Sequence, residues 1–217
     1  MSANLKFVRH PHPSPTPADK RAALLANPGF GRVFSDHMVT IRYSEDKSWH
    51  DARIEPRGPI SMDPAAAVLH YAQEIFEGLK AYTTADGATL FRPQENARRF
   101  QQSAERLAMP VLPEKLFLEA IDHLVDIDRD WIPDGDGSLY LRPFMFANEV
   151  FLGVKPSSEY LFIVIASPVG SYFKSGAAAV SLDLKYEPTG EAITMKRYSD
   201  DGLTPRNTSL AYMKGRR

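Results

Sequence analysis

The clearest two-residue alternation begins at His37. His37-Met38-Val39-Thr40-Ile41-Arg42-Tyr43 alternates and is rich in β-branched residues, which predicts a strand. Residues 57–65 read as turn chemistry. Asp63-Pro64 supplies an N-cap followed by a first-turn proline, so a short helix is expected to carry Ala66 to Tyr71. Ile75 to Thr84 alternates again, Ala85-Asp86-Gly87 makes a tight turn, and Ala88 to Arg92 returns as the second arm of a hairpin. The period then lengthens. Pro93 to Ala108 is expected to be helical with Phe100, Ala104 and Leu107 on one face. Pro113 opens a second helix with Leu116, Ala120, Leu124 and Ile127 inward. After the turn-forming Pro133-Asp134-Gly135-Asp136-Gly137, two more strands follow, Ser138 to Asn148 and Tyr160 to Ala166. Strands, then helices, then strands, without βαβ alternation, indicate an α+β fold.

The ends have a different texture. Residues 9–20 carry prolines at 11, 13, 15 and 17, which exclude helix and ladder pairing. Residues 1–29 therefore read as an extended Pro-rich arm, either a plain leader or a cover for a partner. Beyond about Leu184 periodicity fades. Lys185 to Arg217 holds seven basic and four acidic residues, read as a solvated, poorly ordered tail.

Composition narrows the function. The chain has 217 residues, 43% hydrophobic and 24% charged, which is ordinary for a globular protein with a real core. A net charge of −1 gives no electrostatic reason to bind nucleic acid or an anionic membrane. With no cysteine, disulfide scaffolds, thiolate catalysis and Cys-ligated zinc are excluded. The six histidines (10, 12, 37, 50, 70 and 123) contain no i, i+4 pair, so no metal site is expected. The N-terminal stretch has no apolar run of the secretory kind, and Leu161 to Ala166 is too short to span a bilayer, so a cytoplasmic protein is expected.

Four segments carry candidate chemistry. In Phe76-Glu77-Gly78-Leu79-Lys80, a glycine inside a strand pattern suggests close approach of a ligand or another backbone. Lys80 has no neighbour that obviously suits it to catalysis. Phe91 to Arg99 joins a strand end to a helix start with three arginines, which either bind an anion or solvate the outer face. Arg142 sits in an apolar alternating strand and needs either an acidic partner such as Glu77 or Glu149, or an anionic ligand such as a substrate carboxylate. Ala166 to Phe173 breaks a buried strand into a Pro/Gly loop, read as an interdomain connector, a pocket lid or plain surface packing.

Taken in order, Phe34-Ser35-Asp36-His37-Met38, His70-Tyr71, Phe76-Glu77-Gly78-Leu79-Lys80-Ala81-Tyr82, Leu90-Phe91-Arg92-Pro93, Tyr140-Leu141-Arg142-Pro143 and Ser167-Pro168-Val169-Gly170-Ser171-Tyr172 closely resemble the branched-chain amino acid aminotransferases. These are fold-type IV, D-amino-acid-aminotransferase-like enzymes that use pyridoxal 5'-phosphate (PLP). The resemblance spans about Phe30 to Leu184. It implies that Arg99 grips the PLP phosphate and that Tyr71, Phe76 and Tyr140 wall the apolar side-chain pocket. It further implies that Arg142 lies near the substrate carboxylate and that Tyr172 belongs to the interdomain loop. The implied partners are leucine, isoleucine or valine, 2-oxoglutarate, and a second copy of the chain. A non-catalytic dimerisation remnant and a sibling enzyme, a D-amino acid aminotransferase or an aminodeoxychorismate lyase, are the alternatives.

One family feature is not found. PLP chemistry needs a lysine that bonds to the cofactor and moves the α-proton. In the family it stands about thirty residues beyond the loop tyrosine, in an Ala-Ala-Lys-x-Gly-Gly-Asn-Tyr-like motif. Here that count lands on Asp201-Gly202, and neither Lys196 nor Lys214 has the motif around it. No catalytic residue is therefore assigned. The expected layout is an arm at 1–29, a small α+β domain at 30–168 and an interdomain-type loop at 169–176. The remainder, 177–217, reads as a stub of the second domain with a divergent tail, as truncation or a shifted reading frame would leave. Such a chain is expected to be inactive alone.

Overall fold

A computed structural model describes residues 5–85 and 87–170, together with the backbone of Leu182–Leu184, Met195–Tyr198 and Pro205–Asn207. The chain divides into two compact units, Met1–Ser171 and Tyr172–Arg217.

The first unit is built on one mixed sheet. Its strands are β1 (Val8–Arg9), β2 (His37–Ser44), β3 (Ser48–Pro56), β4 (Glu74–Phe76), β5 (Leu79–Thr84), β6 (Gly87–Leu90), β7 (Ser138–Ala147) and β8 (Glu159–Val169). They run in the order β1-β3-β2-β8-β7-β5-β6, with β4 also paired to β7. Every pairing is antiparallel except β1 with β3. The helices are α1 (Ala18–Leu25), α2 (Ala67–Tyr71), α3 (Pro93–Arg106) and α4 (Glu114–Ile127).

Alternation along the strands decides what each face does. Val39, Ile41, Ala52, Ile54, Leu79, Ala81, Leu139, Leu141, Met145, Phe162, Val164 and Ala166 share one core with α3 and α4. Phe100 of α3, Phe117 of α4 and Phe162 of β8 meet there with ring centroids 5.5 to 6.1 Å apart, an aromatic junction tying both helices to the sheet. The intervening residues, among them Met38, Phe144, Phe146, Leu161 and Ile163, form a second, smaller cluster. Tyr140 and Arg142 stand in register with that second set on β7.

Several expectations are corrected. Leu107 is partly exposed, because α3 ends at Arg106 and the inward stripe is Ala97, Phe100 and Ala104. Ile127 at the end of α4 is only partly buried, and Phe117, Ile121 and Val125 complete the inward face instead. The sequence reading contains neither α1 nor β3. In β3, Ala52 and Ile54 are the buried positions, too few for alternation to stand out. Strand β8 continues to Val169 through Pro168 rather than breaking at Ala166. Pro168 lies beyond Ile165, the last β8 residue paired with β2, so the ladder on that side asks nothing of its missing N–H. Helix α2 begins at Ala67, four residues after Asp63, whose carboxylate instead accepts the Ala65 N–H at 2.7 Å.

The N-terminal segment covers its own domain. Thr16 donates from both its N–H and its hydroxyl to Asp36, which also accepts from the Trp131 indole. The His12 N–H donates to His37 Nε2, while His37 Nδ1 lies 2.7 Å from the buried Asp128 carboxylate. Asp36 immediately precedes β2 and Asp128 immediately follows α4, so residues 10–17 are held in place although they form neither helix nor strand. The expected exclusion of helix and ladder over 9–20 fails at both ends: Arg9 pairs with Ile54 in the β1–β3 ladder, and α1 starts at Ala18, directly after the last proline.

In the second unit the described strands β9 (Leu182–Leu184), β10 (Met195–Tyr198) and β11 (Pro205–Asn207) pair antiparallel in the order β11-β10-β9. The expectations of a poorly ordered tail and of an interdomain loop at 169–176 fall almost wholly outside the described residues. No described helix is long and apolar enough to cross a membrane.

Candidate active site

The expected continuous strand over Ile75 to Thr84 is two strands, split at Glu77-Gly78. The cause lies across the ladder in Pro143. Proline offers its carbonyl, which accepts the Glu77 N–H at 2.8 Å, but has no N–H to return. The bond lost is the one the Glu77 carbonyl would have accepted, and the next carbonyl, that of Gly78, accepts from the Asn96 side chain at 3.2 Å. At this interruption the backbone leaves the strand path, and the Glu77 side chain is buried beside α3 rather than exposed.

Glu77 and Arg99 form the strongest polar contact of the site. Arg99 Nε donates to Glu77 Oε1 at 2.5 Å and Nη2 to Oε2 at 2.7 Å, the paired-fork geometry that guanidinium and carboxylate favour. Asn96 Nδ2 adds a third bond at 2.8 Å and the Gly78 N–H a fourth at 3.2 Å. Burial pushes the Glu77 carboxyl up, but the hydrogen bonds from Arg99, Asn96 and Gly78 outweigh it and hold it below the usual carboxylate range. The same pair raises Arg99. A lowered folded pKa means that Glu77 stabilises the fold above about pH 4.3 and loses that contribution as pH falls through the lower folded value. Acid unfolding of the unaltered protein should therefore show a stability loss below pH 4.3 that Glu77→Gln flattens. Parallel denaturation curves between pH 3 and 7 measure this, and identical slopes for the two proteins would contradict it.

Arg99 sits in the second turn of α3, so the helix N-terminus adds little field there. What presents it is Glu77, not the helix end. Arg98, its neighbour, turns outward to Glu95 and Glu114.

Arg142 has different company. Its Nε and Nη2 donate to the Tyr140 hydroxyl at 3.1 and 2.9 Å. Its guanidinium carbon lies 4.6 Å from the Phe76 ring centre and 5.3 Å from that of Tyr140, within cation–π range. Neither expected acid reaches it. Glu77 is taken by Arg99, and Glu149 by Lys155 and the Ser158 N–H. Among the described residues Arg142 has no carboxylate partner. It opens instead on a cavity of about 190 Å³ lined by Phe30, Phe34, Tyr140, Arg142, Ile165 and Ser167, among others.

Phe76, Tyr140 and Arg142 are thus brought together, and Arg99 is joined to them through the Phe76-Glu77-Gly78 backbone. Tyr71 makes its contacts elsewhere, donating to the Leu152 carbonyl and stacking on Phe151. Tyr172 lies outside the described residues. Gly78 fulfils the expectation of close approach, although the approaching group is a side chain. A Cβ there would press into the Tyr140 hydroxyl and lie 3.0 Å from its ring carbon Cζ. Lys80 pairs directly across from Tyr140 in the β5–β7 ladder. The sequence reading missed Phe30 and Phe34 as lining residues, although their setting among Gly29, Gly31 and Pro28 is a signal for a shaped loop.

No family model matches the chain. A probable branched-chain-amino-acid aminotransferase of Streptomyces coelicolor is 58% identical over 175 residues, which is 79% of this chain and 48% of that protein. The branched-chain-amino-acid aminotransferase of Mycolicibacterium smegmatis is 52% identical over 189 residues, 86% of this chain and 51% of that protein. Among solved structures, the branched-chain amino acid aminotransferase of Escherichia coli matches with a TM-score of 0.50 at 25% identity, covering 64% of this chain and 45% of that one. The chain spans about half the length of the curated relatives it matches. Over that span it is similar to the N-terminal portion of the branched-chain aminotransferases, and its α+β fold matches the N-terminal domain of the fold-type IV enzymes.

Proposed function

We propose that residues 5–170 supply the anion-binding and side-chain-binding half of a PLP-dependent aminotransferase for leucine, isoleucine or valine, with 2-oxoglutarate as amino acceptor. The observation that carries this reading is Arg142, a half-buried cation with no acidic partner among the described residues, set over Phe76 at a small apolar cavity. A half-buried guanidinium without a counterion favours an anionic ligand, and the apolar lining favours a short aliphatic chain over a polar one.

The residues present fit the charged ends of such a pair of ligands. Arg99 spends Nε and Nη2 on Glu77 and keeps its outer edge for a phosphate. Arg142 is held by the Tyr140 hydroxyl in an orientation that leaves donors for a carboxylate. Phe76, Phe30 and Phe34 would exclude water from the aliphatic part of the substrate. PLP, when bound, supplies the electron sink that makes the α-proton of an amino acid removable. No residue of this chain is assigned to move that proton.

The same reading implies a cytoplasmic homodimer. Leu69, Val150, Leu152 and Val154 are exposed, and the Ala66–Val150 bridge and the Tyr71–Leu152 bond place α2 beside residues 150–152, an apolar surface suited to a second copy.

Titration of PLP into the 217-residue polypeptide and its Arg99→Ala variant tests the reading. Weak binding is expected, reduced about ten-fold by the substitution, since one charge-assisted contact is removed from an exposed site. Equal binding by both proteins would remove Arg99 from the role.

A further inference from the structure

Arg99 combines exposure with rigidity. Its side chain is 63% exposed, a setting in which a long cationic side chain ordinarily samples many rotamers, yet two of its nitrogens are fixed on a carboxylate that is 7% exposed. That carboxylate is itself immobilised. The Glu77 backbone N–H is anchored on the Pro143 carbonyl of β7, and Oε2 also accepts from Asn96 and from the Gly78 N–H. Asn96 in turn bonds the Gly78 carbonyl, so helix α3 and the β4–β5 interruption grip each other on both sides of the acid. Among the described residues, Nη1 of Arg99 has no partner.

Resting on the assignment of Arg99 to phosphate, we infer that Glu77 is a positioning residue of the anion site, fixing the guanidinium plane so that the free Nη edge meets a phosphate ester. The alternative role for Glu77 is charge balance alone, and the two make opposite predictions. A carboxylate beside a cation weakens its pull on a second anion, so charge alone predicts tighter phosphate binding once Glu77 is neutralised. Orientation predicts weaker binding, because an unrestrained guanidinium must be ordered by the ligand.

The experiment uses the 217-residue polypeptide and 4'-deoxypyridoxine 5'-phosphate, a phosphate ester with no aldehyde, so that lysine chemistry cannot contribute. Glu77→Gln removes the charge and the paired fork. Glu77→Asp keeps the charge but is one methylene too short to hold both nitrogens. Both variants are expected to bind the ester about three- to ten-fold more weakly, with Arg99→Ala weaker still. Tighter or unchanged binding by Glu77→Gln, alongside weakened binding by Arg99→Ala, overturns the inference and leaves the Arg99 assignment standing. Unchanged binding by Arg99→Ala overturns both. Nitrogen NMR of the Arg99 side chain supplies a readout that fold integrity alone does not move. Distinct Nη signals are expected at neutral pH, merging in Glu77→Gln. If that variant does not fold, acid titration of the unaltered protein should merge them as Glu77 takes up its proton. Averaged Nη signals in the unaltered protein at pH 7 would also overturn the inference.

Discussion

A 217-residue polypeptide of this sequence, supplied with PLP, leucine and 2-oxoglutarate, is expected to show no transamination above that of free PLP. The domain holds two arginines suited to a phosphate and a carboxylate, an aromatic wall and a cavity, and these can bind and orient. Moving the α-proton is a separate requirement. No lysine in the chain stands in the Lys-x-Gly-Gly-Asn setting that the resemblance calls for. Loss of a positioned general base costs on the order of 10² to 10⁴ in rate, and an unanchored cofactor adds an orientation penalty that can be larger. Lys80 is the residue to watch, because it lies across from Tyr140 in the ladder. Borohydride trapping with PLP followed by peptide mapping, run beside the activity assay, decides the matter. A single stoichiometrically labelled lysine, with turnover that vanishes when it becomes alanine, would overturn the prediction. Yellow colour alone would not, since exposed lysines react with the aldehyde unspecifically.

Gly78→Ala is expected to leave the domain folded and to damage the carboxylate site. The added methyl would meet the far end of Tyr140, a side chain that can swing away, rather than fixed backbone. Overpacking relieved in this way costs stability at the low end of the usual range, about 1 kcal/mol. The site loses more. When the Tyr140 hydroxyl moves, Arg142 loses the acceptor that both Nε and Nη2 share, and its orientation goes with it. Hydrogen bonds to charged groups are worth about 1.5–3 kcal/mol, so binding of a branched aliphatic carboxylate such as 4-methylpentanoate should weaken roughly ten- to a hundred-fold. Tyr140→Phe removes the same oxygen without the clash and should reproduce most of the loss. Calorimetric titration of the three proteins, with thermal melts as a control for folding, gives the comparison. Retained affinity in a folded Gly78→Ala protein would show that the hydroxyl does not orient Arg142.

Much of this architecture was legible in the residues themselves. The alternation at 37–43 became β2, and the apolar spacing after Pro113 became α4 with Leu116, Ala120 and Leu124 buried. The ordered motifs from Phe34 to Tyr172 carried a resemblance that the relatives bear out over the N-terminal portion. Such features are local: periodicity records which face of an element is dry, and turn residues record where the chain must bend. What faces what is not local. Glu77 was a possible partner for Arg142, and only the Pro143 carbonyl and the approach of α3 turn it to Arg99, 22 residues along the chain. Pro168 looked like a strand end and is a strand interior, because whether a missing N–H matters depends on which neighbour is still paired. The charge of Arg142 belongs to the same class. The sequence determined that a cation would stand in an apolar strand, and tertiary packing decided that neither Glu77 nor Glu149 would reach it and that no other carboxylate among the described residues pairs with it, since charge compensation depends on distances between segments that no single segment contains.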